Sequence, residues 1–163
     1  MIMRSNDKQP VETAGVEIDT LPELTILLTK KMIVMGATSS RDWQPIHHDS
    51  EYARDHAALP DIIMNNYTQA GWLSCYVTNW SGPQTRLARL KFSMLSPLCP
   101  GDKAAFSGVV ASREEREEFL WLDVAVKVHV GERLATKAVI GLALPSGEEG
   151  VSPWHCADAD WHP

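Results

Sequence analysis

The chain has 163 residues, 44% hydrophobic and 22% charged, which fits one globular domain with a real core and excludes wholesale disorder. The net charge of −6 is spread along the chain, which excludes a general nucleic-acid binder but not an anionic small ligand held by a few local cations. Three cysteines without metal-like spacing, no export signal, and no apolar run near the roughly 20 residues of a membrane helix predict a cytoplasmic protein with no membrane partner.

Residues 1–16 are polar, carry Pro10 and Gly15, and predict a flexible lead ahead of one domain over 17–145. The run ELTILLTKKMIVMGATS (23–39) mixes β-branched and apolar residues and predicts a strand over much of its length. A loop follows, because Pro45 lacks a donor and biases Gln44 toward extended geometry. SEYARDHAA (50–58) predicts a short helix capped by Asp49 or Ser50, with Glu51 in its first turn.

After Pro60, residues 61–80 predict a long, largely buried helix ended by SGP (81–83). Small or apolar residues, Ile62, Ile63, Tyr67, Ala70, Gly71, Ser74, Cys75 and Thr78, recur near the helical period. Gly71 predicts close packing against another element, and Cys75 a place in the core. Four strand-like runs follow: TRLARLKFSML, KAAFSGVVASREE, FLWLDVAVKVHV and RLATKAVIGLAL. PGD (100–102), REEREE (113–118) and GE (131–132) punctuate them, predicting antiparallel meander strands joined by tight turns. REEREE fits a charged hairpin turn better than an interaction site.

One strand, a loop with a short helix, one long helix and four strands give an α+β fold with an antiparallel sheet and helices on one face. A long helix lying across a curved antiparallel sheet is the hot-dog arrangement. The tail over 146–163 is polar. Its HCADADWH segment mimics metal ligands in residue type but lacks a fixed scaffold, so an ordered docking tail is the better expectation and no metal is predicted.

Chemistry concentrates in SSRDWQPIHHDSEYA (39–53). Across a turn stiffened by Pro45, Asp42 and His47 can converge on one pocket and divide acid and base roles. By itself Asp-x-x-x-x-His fits a surface turn or a helix cap better than a catalytic pair. His48 fits packing or solvent, with a substrate contact as the alternative. Asn66, Gln69 and Tyr67 fit a polar pocket wall or an ordinary helix surface. Arg86, Arg89 and Lys91 fit either a cationic strand edge or a basic rim for phosphates.

DWQPIHHDSEYA resembles the D-x-N-P-x-H-x-D-x-x-x-A signature of the MaoC-like, (R)-specific enoyl-CoA hydratases, which are hot-dog proteins. Asp42, Pro45, His47, Asp49 and Ala53 match, and Gln44 replaces the usual asparagine. RDWQPIHHD and YVTNWSGP look especially like the small catalytic subunit of two-chain steroid side-chain hydratases from actinobacteria, with similarity over about residues 24–144.

The resemblance implies a lyase that adds water across the 2,3 double bond of an acyl-CoA thioester, without metal or redox cofactor. Asp42 and His47 would be the catalytic pair, and the backbone N–H of Asn65, aligned with the family's helix-start glycine, would polarise the thioester carbonyl. Gln44, His48, Asn66, Arg86, Arg89 and Lys91 are the candidate substrate contacts. Six tryptophans and a long helix accommodate a bulky, steroid-like acyl group under the same resemblance. The implied assembly is a homodimer, or a heterodimer with a sister hot-dog chain. A hot-dog thioesterase and a non-catalytic CoA-binding subunit are the alternatives.

Overall fold

Side-chain alternation builds the sheet. In the computed structural model, which describes residues 20–147 and 150–163, the C-terminal runs form β2 (Arg86–Met94), β3 (Lys103–Arg116), β4 (Phe119–Val130) and β5 (Arg133–Pro145). With β1 (Thr20–Leu27) they make one antiparallel five-stranded sheet in the order β1-β3-β4-β5-β2. The predicted lead over 1–16 lies outside the described residues. Every second residue of β4, Leu122, Val124, Val126 and Val128, is buried on the inner face.

The meander expectation holds for β3, β4 and β5 only. Tight turns at Glu117 and Gly131, both at positive φ, join those three, whereas β2 crosses to the far side and pairs with β5. Its following segment, Leu95 to Asp102, has to carry the chain back across the sheet to β3, and no local pattern marks that crossing.

The strand predicted over 23–39 is half right. The chain is extended only to Leu27, and α1 (Lys30–Ser39) follows. Thr29 takes extended angles and its hydroxyl accepts from the Met32 N–H, a side-chain cap that starts the helix. Ile33 and Ala37, one turn apart, are the residues that α1 buries. The β-branched content of the run is shared between a strand and a helix.

The long helix, α3, runs Asn66–Ser81 rather than from Asp61. Residues 61–65 stay outside the helix because their backbone N–H groups are used elsewhere: Ile63 N donates to Ile46 O at 2.9 Å and Met64 N to Leu98 O at 2.9 Å. At its other end α3 stops at Gly82, whose φ of 90° suits glycine.

The buried face of α3 also differs from expectation. Gln69, Leu73, Tyr76 and Val77 face the sheet, while a Cβ added at Gly71 would meet nothing within 4 Å and Cys75 is exposed. Side-chain size, not smallness, selected the inner face: Leu73 and Val77 are each worth about 1.5–3 kcal/mol when fully buried. Tyr76 stacks at an angle on Phe106 and donates its hydroxyl to Pro22 O at 2.8 Å, fastening β1 to the helix. Gly36 lets α1 close on α3, since a Cβ there would collide with the Thr68 side chain.

The short helix α2 (Ser50–Asp55) forms where predicted, with the Asp49 carboxylate accepting from Glu51 N and Tyr52 N. The tail docks against the body. Trp154 Nε1 donates to Thr85 O at 3.2 Å, and Arg116 donates to His162 O at 2.9 Å. Among the described residues no helix is long and apolar enough to cross a membrane, and no group of three or more His, Cys, Asp or Glu is placed to hold a metal ion.

Candidate active site

The end of α1 aims the first functional side chain. Ser40 caps the helix, Arg41 adopts a φ of 54°, and the Asp42 N–H reaches back to Ala37 O at 2.9 Å. A left-handed non-glycine residue is uncommon, and here it reverses the chain so that the Asp42 carboxylate turns inward. Pro45–His47 then forms one 3₁₀ turn, with Pro45 at its start supplying a preset φ and no donor to satisfy. That turn delivers His47 to the interior, only 5% exposed.

Asp42 Oδ2 lies 3.2 Å from His47 Nε2. The other ring nitrogen, Nδ1, is 2.8 Å from the carbonyl oxygen of Ile63, on the extended segment before α3. A carbonyl only accepts, so Nδ1 carries a proton. Nε2 thus faces the Asp42 carboxyl group, and a histidine and an aspartate at this separation are the side-chain types that acid–base work requires.

Asn65, 2% exposed, joins this pair to α3. Its Nδ2 donates to Asp42 Oδ2 at 3.1 Å and to Ser40 Oγ at 2.8 Å. Its Oδ1 accepts from Thr68 N at 3.0 Å and from Thr68 Oγ1 at 2.6 Å. Asn65 is thus the N-cap of α3. The first N–H groups of the helix, which have no partner within it, stand beside the acid–base pair.

These groups line one wall of an open cleft of about 520 Å³. Gln44, Asn66 and Gln69 add polar edges; Ile46, Leu59, Ile63, Met94 and Leu95 make the remainder largely apolar. Gln69 is buried, its Oε1 accepting from Thr136 Oγ1 at 2.7 Å and its Nε2 donating to Met64 O at 3.4 Å. Met94 and Leu95, both about half exposed, leave an apolar rim on the cleft.

The remaining candidates lie elsewhere. His48 is exposed, with Nε2 3.3 Å from Trp43 O. Arg86 is engaged by the tail: it donates to Pro153 O at 3.2 Å, and its guanidinium sits 3.9 Å from the centroid of Trp161. Arg89 pairs with Asp123 at 2.7 Å, and Lys91 is exposed on β2. None of the four lines the cleft. Ser40 and Thr68 were missed in the sequence; the spacing Asn65-x-x-Thr68, a cap followed by a hydroxyl at the third helical position, was the available signal.

Below the cleft, Asp61 ties the segments together. Its carboxyl lies 3.4 Å from Lys30 Nζ and accepts from Ile62 N at 2.7 Å. Hydrogen bonding from Ser50, then from the Ile62 N–H, holds it below its ordinary range. Burial pushes the Cys99 thiol up, with the Asp102 carboxylate adding to the effect.

Comparison with known proteins gives the family and the fold. A family model described as MaoC like domain matches residues 9–133. The 3-oxo-4,17-pregnadiene-20-carboxyl-CoA hydratase beta subunit of Mycobacterium tuberculosis is 34% identical over 92 residues, covering 56% of this chain and 70% of that protein. A chain of the ChsH1–ChsH2 complex from Mycobacterium tuberculosis superposes with a TM-score of 0.67 at 27% identity, over 77% of this chain and 94% of that one. The (R)-hydratase from A. caviae involved in PHA biosynthesis shares the fold, with a TM-score of 0.65 at 20% identity over 76% of this chain and 93% of that one.

Proposed function

Because the chain belongs to the MaoC-like family of hydratases and dehydratases, we propose that it adds water reversibly across the 2,3 double bond of an enoyl-CoA thioester. The observation that carries this reading is the Asp42–His47 pair, 3.2 Å apart beside the N-terminus of α3 on the wall of a largely apolar cleft.

In the reaction the acyl chain lies along the apolar wall with its thioester carbonyl at the start of α3. The backbone N–H groups at Asn65 and Asn66, with the positive end of the helix dipole, stabilise negative charge on that oxygen. The pair takes a proton from water as its oxygen bonds to C3, and the double-bond electrons move onto the thioester as an enolate. The enolate collapses as C2 takes a proton from the pair. One proton is accepted and one returned, and no electrons leave the substrate, so the addition is redox-neutral. Gln44 and Asn66 contact the substrate at the cleft edge.

The relative's substrate name supports a polycyclic, steroid-like acyl group for this chain too, and the volume of the open cleft, about 520 Å³, suits a bulky apolar body. Both that name, a beta subunit, and the two-protein complex support a dimer in which a sister hot-dog chain or a second copy completes the cleft over Met94 and Leu95.

Incubation with a panel of enoyl-CoA thioesters, followed by mass spectrometry, tests the reading. Gain of one water per molecule with the thioester intact is expected. Release of free CoA thiol in place of hydration would identify a thioesterase, and binding without turnover a CoA-binding subunit.

A further inference from the structure

Asn65 makes more contacts than a helix cap needs. Serine, threonine and aspartate cap as well as asparagine does, because only an oxygen facing the first-turn N–H groups is required. None of them has an N–H. The orientation of the Asn65 amide follows from its neighbours: the Thr68 backbone N–H can only donate, so the atom 3.0 Å away is Oδ1. That leaves Nδ2 facing Asp42 Oδ2 at 3.1 Å and Ser40 Oγ at 2.8 Å. The Ser40 hydroxyl is directed to Gly36 O and Ala37 O, at 2.9 and 3.1 Å, so its oxygen is left to accept.

Asp42 has little else to hold it. Among the described residues, its carboxylate otherwise meets only His47 Nε2 at 3.2 Å and the Gln44 N–H, at a long 3.4 Å from Oδ1. Without the amide, a side chain at the cleft wall is free to swing toward water and away from His47.

We propose that the Asn65 side chain is a positioning residue for Asp42, capping α3 with its oxygen while its nitrogen fixes the carboxylate against His47. This rests on the hydratase reading for its catalytic consequence, and it goes beyond the backbone role of the same residue. One rigid amide then ties the two halves of the site, the acid–base pair and the helix start, into one geometry.

Asn65→Asp and Asn65→Ser separate the two jobs, since both keep a capping oxygen and both lose the amide N–H, the serine hydroxyl being shorter than the amide that reaches Asp42. In Asn65→Asp a carboxylate faces Asp42. The expected result is a melting temperature within a few degrees of wild type, with kcat lowered about 100-fold or more in Asn65→Asp and about 10-fold in Asn65→Ser, and KM changed less than about threefold. A kcat within twofold of wild type in both variants, with wild type active, overturns the positioning role and leaves the hydratase reading intact. An inactive wild type sinks that reading, and the contact is then decided by NMR of the ligand-free protein. There, the side-chain NH₂ resonances of Asn65 shift on Asp42→Ala if the hydrogen bond exists, and an unchanged signal overturns it. The same spectra decide the matter if Asn65→Asp does not fold.

Discussion

His47 and Ile63 meet through a ring nitrogen and a backbone carbonyl, Nδ1 to O at 2.8 Å. Because the acceptor is backbone, no substitution at Ile63 removes it, and the tautomer of His47 is fixed by the extended path of the chain before α3. That path depends on the two hydrogen bonds that keep residues 61–65 out of the helix.

The acid–base pair gives the first prediction. His47→Asn retains an amide donor for the Ile63 carbonyl but has nothing at the Nε2 position, and Asp42→Asn retains shape without charge. Each is expected to lower kcat by about two orders of magnitude or more while the protein still folds. Steady-state hydration kinetics with circular dichroism check this, and near-wild-type turnover in either variant refutes the assignment.

Gly36 sets the approach of α1 to α3. Alanine there gains about 1 kcal/mol of helix propensity. Its methyl group collides with Thr68, which must rotate away from Asn65 or push the helices apart, at a cost of about 1–3 kcal/mol. Overpacking wins, so Gly36→Ala is expected to melt lower than wild type and to lose turnover. A higher melting temperature would show that the helices separate freely.

Gln69 and Thr136 are a buried polar pair between helix and sheet. Thr136→Val keeps the volume and strands the Gln69 oxygen, at an expected cost of about 1–3 kcal/mol in urea unfolding. Gln69→Leu combined with Thr136→Val removes both polar partners and should restore much of that loss. A neutral single variant would mean that water takes the place of the hydroxyl.

Asp61 supplies the pH dependence. Its folded carboxyl titrates below the unfolded one, so its stabilisation is complete above the unfolded value and disappears as the pH falls through the lowered folded value. The melting temperature of wild type is expected to exceed that of Asp61→Asn near neutrality, with the gap closing in acid below the ordinary carboxylate range. A gap that persists there would assign the effect to shape alone. The side chain is partly exposed and its partners Lys30 and Arg54 are more than half exposed, so the gap is small.

Much of the fold was legible because alternation on β3, β4 and β5 is local, and the helix-stop SGP likewise. The position of β2 was not, since pairing of Arg86 with Ala143 is decided by the far end of the chain. In 23–39 the same β-branched residues satisfy both periods, and only the Thr29 cap separates them. On α3 the stripe of small residues misled because the true inner face includes a polar residue, Gln69, that sequence assigns to the surface. The adjacency of Asp42 and His47 was legible from their spacing around Pro45. The occupation of Arg86 by the tail and of Arg89 by Asp123 was not, since both partners are remote in sequence.

The strand order also fixes a sequence of events in time. The three central strands are joined by tight turns and can zip together with little loop-closure entropy, whereas β1 and β2 must each find a partner far away in the chain. The meander is therefore expected to form first, with the two borders added later. The hydroxyl of Tyr76, reaching Pro22 O, ties that first border to α3, and the segment that carries Asp42 follows β1 by way of α1. Amide protons of β1 will exchange with solvent sooner than those of β4, and the geometry around Asp42 will be the last to mature and the first to open.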